Sequence, residues 1–168
     1  MQTWPALAFV FPYHEMLLRK LLAVDGYEGV KTRSSNWNYR GPVLLYTSKG
    51  KYHKVPARAY GLKPEEFPNG VIVGVANIAD SRQLNWQEKI QITCNFNRVN
   101  SRAAEEMLLG TDGDYVVPLP IGLFLKDIKR FKYPVPFKPR PGAIGIMRVP
   151  TKLVAKALKE VGVDPKSL

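Results

Sequence analysis

The sequence predicts a compact, β-rich α+β domain arranged as a small barrel. Three features indicate this class: the strand candidates are short, turn residues recur between them, and three segments show helical spacing of apolar residues. At 168 residues the chain is the size of one domain, and a hydrophobic content of 45% is enough for a core. We therefore expect a single domain over residues 1–168.

The first half of the chain is predicted to hold three strands and one helix. Residues 6–11 form a continuous apolar run, which is typical of a buried strand. Pro12 suits the first turn of a helix whose apolar positions recur at helical spacing as far as Val24. Residues 43–47 are a further strand candidate, and residues 71–78 carry the strongest strand signal.

The second half is predicted to hold three strands and two helices. Residues 90–96 alternate apolar and polar side chains, which predicts a strand with one wet face. A short helix over residues 101–109 is predicted to be capped by its first residue, a serine. Two further strands are predicted, over residues 115–125 and 142–149. The last element is predicted to be an amphipathic C-terminal helix over residues 151–163, capped by Thr151.

A long basic segment is the most informative functional feature. Residues 31–63 hold eight basic residues and no acidic residue. Several aromatic side chains lie among them, namely Trp37, Tyr39, Tyr46, Tyr52 and Tyr60. Cations bind phosphates, and rings stack on unpaired bases, so this mixture is typical of a nucleic-acid surface. The plainer interpretation is a solvated basic face.

The charge of the whole chain favours an anionic partner. Its net charge is +11, and a second basic cluster over residues 126–148 holds seven basic residues against one acid. Such a balance is typical of proteins that bind nucleic acid or an acidic membrane surface. We expect RNA or single-stranded nucleic acid, and no membrane.

Several classes of site and location are not expected. Cys94 is the only cysteine, so an intramolecular disulfide is excluded. His14 and His53 lie far apart without ligand-spaced partners, so we expect no metal and no cofactor. The apolar run of residues 5–12 is too short to span a bilayer, and the N-terminus lacks a basic leader region. We expect a soluble, cytoplasmic protein.

Five segments follow one another in a distinctive order: ALAFVFPYHEMLL (6–18), GVKTRSS (29–35), YRGPVLLYTS (39–48), PNGVIVGVANIAD (68–80) and FKYPVPFKPRPG (131–142). In this order they resemble the ASCH family of the PUA-like superfamily, and the resemblance covers roughly residues 5–150. Two departures stand out. Val10 and Phe11 occupy the place of an arginine before the first proline. The glutamate that many members carry just after Lys-Thr has no counterpart, because Arg33, Ser34 and Ser35 stand there.

The resemblance implies a five- to six-stranded PUA-like β-barrel with a cleft between barrel and helices. Family members are associated with RNA or DNA binding, and some are enzymes on RNA or modified nucleosides. One branch, an acetylcytidine amidohydrolase, uses a lysine, a threonine and a glutamate.

Lys31 with Thr32 or Ser34 is the nearest match to that catalytic set. A lysine of lowered pKa could deprotonate a hydroxyl nucleophile, and Asp80 or Glu28 would have to supply the acid. The alternative, which we favour, makes Lys31 a phosphate ligand and Ser34 a turn residue.

The predicted nucleic-acid-binding residues are Lys31, Arg33, Ser35, Trp37, Tyr39, Arg40, Ser48, Lys49, Lys51 and His53. Three of the assignments stay open. Arg40 could bind a phosphate or pair with Asp80, Trp37 and Tyr39 could stack on bases or close the barrel end, and the loop from Ser48 could cradle a phosphate or be merely solvated. His53 is a weak candidate for proton transfer because it lacks a partner.

The sequence therefore predicts a nucleic-acid-binding module with a basic, aromatic-lined cleft. The alternative is a ribonuclease- or amidohydrolase-type enzyme that uses Lys31 with Thr32 or Ser34. A third hypothesis is an adaptor whose basic face docks an acidic protein or an anionic membrane.

Overall fold

A computed structural model describes residues 2–50, 52–110, 115–141 and 146–168. Within these ranges the strands are β1 (Thr3–Phe9), β2 (Gly29–Arg33), β3 (Gly41–Thr47), β4 (Val71–Gln83), β5 (Ile121–Pro136) and β6 (Ile146–Pro150). The helices in the same ranges are α1 (Tyr13–Leu18), α2 (Lys54–Ala59), α3 (Trp86–Asn97), α4 (Ser101–Leu109) and α5 (Thr151–Glu160), with a 3-10 turn at Pro64–Glu66.

All six strands form one mixed sheet in the order β2-β5-β4-β3-β1-β6. The β1–β3 pair is parallel, and the other four pairs are antiparallel. The predicted α+β class is therefore confirmed. Strands β2 and β6 are the two edges of the sheet, and in the part of the chain that the structure describes no strand ladder joins them.

The sheet separates two hydrophobic cores. The inner core lies under α1 and α3 and contains Phe9, Tyr13, Leu17, Leu45, Phe96 and Phe124. The outer core lies under α5 and contains Trp4, Leu44, Tyr46, Ile72, Phe131 and Leu158. Alternate strand residues point to opposite faces, so neighbours such as Leu44 and Leu45 belong to different cores. Burial on both faces explains why β3 and β4 appear in the sequence as continuous apolar runs.

The sheet curls so that its first edge returns to the end of β1. Three strands lie between β2 and β1 in the sheet order, and a flat sheet would hold them about 19 Å apart. Yet the Tyr13 hydroxyl, four residues after Phe9, donates to the Val30 carbonyl at 2.7 Å and accepts from the Thr32 N–H at 3.1 Å. A side chain thus occupies the position that a neighbouring strand would take beside β2.

The prediction of a strand over residues 90–96 is wrong, because the segment lies in α3. Asn85 and Glu88 form a capping box: the Asn85 side chain accepts from the Glu88 N–H at 2.8 Å, and Glu88 Oε1 accepts from the Asn85 N–H at 3.0 Å. Caps of this kind satisfy the free N–H groups of the first helical turn. The helix also buries Ile92 and Phe96, which are four residues apart.

Other element boundaries also differ from the predictions. The first helix ends at Leu18 rather than near Val24, and β5 begins at Ile121 rather than at residue 115. Helix α4 is capped by Asn100, and Pro150 occupies the N-cap position of α5 without a side-chain bond. Strand β2 and helix α2 were not predicted. The predicted strand at residues 142–149 lies partly outside the described residues.

Candidate nucleic-acid interface

Strand β2 presents Lys31 and Arg33 beside the inner core. Residues two apart share one face of a strand, so these two cations lie on the same side of β2. Lys31 Nζ is 4.7 Å from the centroid of the Phe9 ring and 5.1 Å from that of Tyr13. Burial, together with the charge of Arg33, lowers the pKa of Lys31 to about 8. The amine therefore titrates near physiological pH.

Arg33 carries a buried polar group without a hydrogen-bond partner in the described residues. Its guanidinium is partly buried, and the atom concerned is Nη1. Leaving a buried donor unpaired costs about 1–3 kcal/mol, and more for a charged group. An anion that reached this nitrogen would remove that cost.

His53 completes the group. It precedes α2, and its backbone N–H donates to the Phe11 carbonyl at 2.9 Å. Burial and the nearby charge of Lys31 lower the pKa of His53, so its imidazole is neutral at pH 7. We refer to Lys31, Arg33 and His53 as the Lys31 cluster. Two cations and a neutral donor-acceptor ring suit an anion better than a cation.

The hydroxyl candidates beside Lys31 lie in different environments. Thr32 is buried, with 7% of its surface exposed, and its N–H is held by the Tyr13 hydroxyl. Ser34 and Ser35 follow β2 on the exposed surface. The structure thus places Lys31 and Arg33 together, whereas neither serine belongs to the buried part of the cluster.

The two acids proposed as partners of Lys31 have other partners. Glu28 pairs with Lys20 Nζ at 3.1 Å and also accepts two backbone N–H groups from β5. Asp80 lies between two guanidinium groups, at 3.5 and 3.3 Å. These groups belong to Arg40 and Arg82. Within the described ranges, neither acid forms an ion pair with Lys31.

Arg40 organises the loop between β2 and β3. Besides the contact with Asp80, its guanidinium donates to the carbonyls of Trp37, Tyr39 and Ser81 at 3.1–3.4 Å. Of the two interpretations of Arg40, the structure therefore contains the pairing with Asp80. Arg40 thus links the β2–β3 loop to β4.

Trp37 and Tyr39 stack on each other. Their ring centroids are 4.9 Å apart with an interplanar angle of 24°, and both rings pack against the inner core. The Tyr39 hydroxyl also donates to the Pro42 carbonyl at 2.7 Å. Both side chains remain partly exposed. The pair forms a flat wall at the end of the β2–β3 loop.

The loop after β3 is tied to the end of β1. The Ser48 N–H and hydroxyl donate to the Phe9 carbonyl at 2.9 and 3.2 Å. Lys49 is exposed, and its side chain crosses over Gly70, where a β-carbon added to the glycine would lie 2.8 Å from Lys49 Cε. Lys51 lies outside the described residues. Ser48 is therefore a structural tether as well as a predicted ligand.

Phe9, Tyr13 and His14 belong to this region but were not predicted as site residues. Their apolar and helical spacing marks them as core side chains, and all three are buried. Only the curl of the sheet brings Phe9 and Tyr13 under Lys31, and no local pattern encodes that contact. The aromatic residue directly after Pro12 was the available signal.

In comparisons with known proteins, no family model and no curated protein matches the chain. In the described residues, no group of three or more histidine, cysteine or acidic side chains could hold a metal ion. Nor does any helix of those residues have the length and apolar character required to cross a membrane.

Proposed function

We propose that the chain is a nucleic-acid-binding module that holds RNA, or another single-stranded nucleic acid, at the Lys31 cluster. One observation carries the proposal: Arg33 Nη1 is buried beside Lys31 and has no hydrogen-bond partner in the described parts of the chain. A phosphodiester offers the negative charge and the acceptor oxygens that this nitrogen needs.

The distribution of ion pairs supports this location. Several other arginines near the sheet are bound to carboxylates: Arg130 makes two bonds of 2.8 Å with Glu15, and Arg82 makes two bonds of 2.7 Å with Glu88. Their charge is offset within the fold. Lys31 and Arg33 have no such carboxylate partner in the described residues. Burial is the main cause of the lowered pKa of Lys31, and the charge of Arg33 adds to it, so two positive charges lie close together here. Their positive potential attracts a polyanion.

The wall formed by Trp37 and Tyr39 supports a role in base stacking. An aromatic face that is already ordered loses little entropy when a base stacks on it. Since Trp37 lies four residues after Arg33, a strand gripped at Arg33 is within reach of that wall. Ser35, Ser48, Lys49 and His53 extend the proposed interface along both neighbouring loops, and Lys51, outside the described residues, stays a predicted ligand.

The proposal includes the fold: we take the six-stranded mixed sheet to be a PUA-like barrel. The curl that returns β2 to the end of β1 supports it, as does the mixed six-stranded sheet. A cytoplasmic location is likewise part of the proposal, since it would give access to RNA. The barrel form rests on the resemblance to the ASCH family.

The proposal is tested by titrating fluorescent single-stranded RNA, duplex RNA and single-stranded DNA at two salt concentrations. We expect single strands to bind more tightly than the duplex, with affinity falling as salt rises. Lys31→Ala is expected to flatten the salt slope by about 0.7, the value for one phosphate contact on a single strand. Lys156→Ala, an exposed lysine on α5, is the matched control. Equal slopes for both variants would contradict the proposal.

An enzyme acting on RNA or a modified nucleoside is the second candidate. The observation that favours it is the pKa of Lys31, about 8, because a lysine that is partly neutral at pH 7–8 can act as a base. Thr32 or Ser34 would supply the hydroxyl. Turnover of acylated cytidine and of RNA by wild type, and its loss in Lys31→Arg with binding retained, would support this function. Equal product formation in both proteins would exclude Lys31 as the base.

A further inference from the structure

A small pocket lies next to the Lys31 cluster, at the start of α1. It has a volume of about 50 Å³ and is lined by Phe11, His14, Ser48, Tyr52, Phe67 and Asn69, among others. We refer to it as the His14 pocket. It shares the segment 9–11 with the Lys31 cluster, since Phe9 underlies Lys31 while Phe11 forms a wall of the pocket. The Cα atoms of Phe9 and Phe11 are at most about 7 Å apart.

His14 gives the pocket a polar group without a partner. The residue is 2% exposed, and its Nδ1 has no hydrogen-bond partner in the described ranges. Burial lowers the pKa of His14 to about 4, although the negative charge of Glu15 acts to raise it. The imidazole is therefore neutral at pH 7. A neutral imidazole can donate from one ring nitrogen and accept at the other. The pocket therefore offers a hydrogen bond to a neutral ligand.

The other walls are flat rings. The Phe11 centroid lies 5.9 Å from that of His14, 5.4 Å from that of Phe67 and 6.1 Å from that of Tyr52. Tyr52 is 38% exposed and stands at the mouth. Aromatic walls around one hydrogen-bonding group match a planar heteroaromatic ring. Because liquid water occupies about 30 Å³ per molecule, this pocket has room for the edge of one small ring.

We propose that the His14 pocket receives the edge of an unpaired pyrimidine base from the strand held at the Lys31 cluster. This inference rests on the proposed function. The strand would bind through a phosphate at Arg33 and through a neighbouring base whose edge enters the pocket beside Tyr52. Of the bases, a pyrimidine needs the least room beyond that edge, so it is the base best suited to a pocket of about 50 Å³. The pocket would thus add base preference to a phosphate contact that reads no sequence.

The test compares three oligomers of equal length: oligouridylate, oligoadenylate and an abasic strand. Wild type is expected to bind oligouridylate at least about tenfold more tightly than the abasic strand, since tenfold is the scale of one stacked base and the wall of Trp37 and Tyr39 can stack a further one. His14→Phe fills the pocket, and Tyr52→Leu removes a wall at its mouth. Both are expected to reduce the ratio of oligouridylate to abasic affinity about tenfold, the share of the base in the pocket, and to leave abasic binding unchanged. Tyr133→Leu, at an exposed tyrosine of β5, should keep the wild-type ratio.

The outcomes separate this inference from the proposed function. If all three oligomers bind and the variants keep the wild-type ratio, the pocket holds ordered water only and the inference fails, while the binding function stands. A preference of wild type for oligoadenylate would also overturn it. If no oligomer binds, the abasic strand included, the proposed function itself fails. Thermal unfolding of each variant shows whether a lost ratio reflects a lost fold, and Tyr52→Leu gives an answer even where His14→Phe does not fold.

Discussion

Lys31 Nζ lies 4.7 Å from the centroid of the Phe9 ring, although three strands separate β2 from β1 in the sheet. The contact exists because the sheet curls and the Tyr13 hydroxyl holds the free edge of β2. Curling of the sheet places the Lys31 amine over the buried rings of Phe9 and Tyr13. Such an environment disfavours the charged form of an amine, and it leaves the charge available to an arriving anion.

The first prediction concerns the pH dependence of stability. The pKa of Lys31 is about 8 in the folded chain and 10.5 ordinarily, so the unfolded chain binds more protons between these pH values. The contribution of Lys31 to the free energy of unfolding is therefore smallest below pH 8. It rises with pH up to about 10.5. The free energy of unfolding of wild type, relative to that of Lys31→Met, should rise by on the order of 2 kcal/mol between pH 7 and pH 10.

Urea unfolding of both proteins across that pH range measures the difference. Because every other titrating group is common to the two chains, only Lys31 should separate their curves. Parallel curves would show that the amine titrates as in the unfolded chain. A bound oligonucleotide should raise the pKa of Lys31 again, with proton uptake at pH 8–9 as the calorimetric signature.

The second prediction concerns the edge of β2. Tyr13→Phe removes the hydroxyl that donates to Val30 and accepts from Thr32. Two buried backbone groups then lose their partner, and we expect a loss of about 2–4 kcal/mol in the free energy of unfolding. Tyr133→Phe, whose side chain is 62% exposed, should change it by less than about 0.5 kcal/mol.

Amide hydrogen exchange locates the Tyr13 effect. In Tyr13→Phe the Thr32 N–H should exchange much faster than in wild type, while N–H groups in the centre of β4 exchange in proportion to global stability. If the exchange rate of the Thr32 N–H keeps its wild-type rank among the amides, then the Tyr13 hydroxyl does not hold the edge of β2.

The third prediction concerns acid stability. The bidentate bond with Arg82 lowers the pKa of the Glu88 carboxyl to about 2. A lowered pKa contributes stability above pH 4.5, and that stability is lost as the pH falls from about 4.5 towards 2. Glu88→Gln should reduce the free energy of unfolding by about 2–3 kcal/mol at pH 7 and by little near pH 2.

Chemical unfolding at pH 7, 4 and 2 checks the Glu88 prediction. Glu106→Gln is the control, since that carboxylate is 75% exposed and lies 3.9 Å from Arg102. A constant difference between Glu88→Gln and wild type at all three pH values would mean that the charge of Glu88 is not what stabilises the fold.

Much of the fold could be predicted from apolar patterns. Strands β3 and β4 are buried on both faces, so they appear as unbroken apolar runs, and α5 shows a clear helical stripe. Helix α3 could not be recognised by periodicity, because seven residues of alternation also fit a strand. Its capping box, Asn85 with Glu88, was the decisive signal. Strand β2 is short, polar and paired with residues about ninety positions away, so no local pattern reveals it.

The candidate site was predicted in part. Charge patterning identified Lys31 and Arg33, which do lie together, and it left open the pairing of Arg40 with Asp80, which the structure contains. The aromatic floor under Lys31 depends on the curl of the whole sheet. Long-range contacts of this kind are set by tertiary packing, and the sequence carries no local sign of them.

The most direct test of the nucleic-acid account is the single-stranded RNA affinity of Arg33→Met, measured together with its stability. Arg102→Met is the matched control, since that side chain is 91% exposed. Arg33→Met removes a partly buried guanidinium whose Nη1 has no hydrogen-bond partner in the described residues. The free energy of unfolding should therefore stay unchanged or rise by about 1–3 kcal/mol.

For the same variant the account predicts an RNA affinity at least about tenfold below wild type, the loss expected for one charge-assisted phosphate contact. Arg102→Met should bind as wild type does. A folded Arg33→Met protein that binds RNA with wild-type affinity would contradict the account, because the buried nitrogen would then have no anionic ligand to meet.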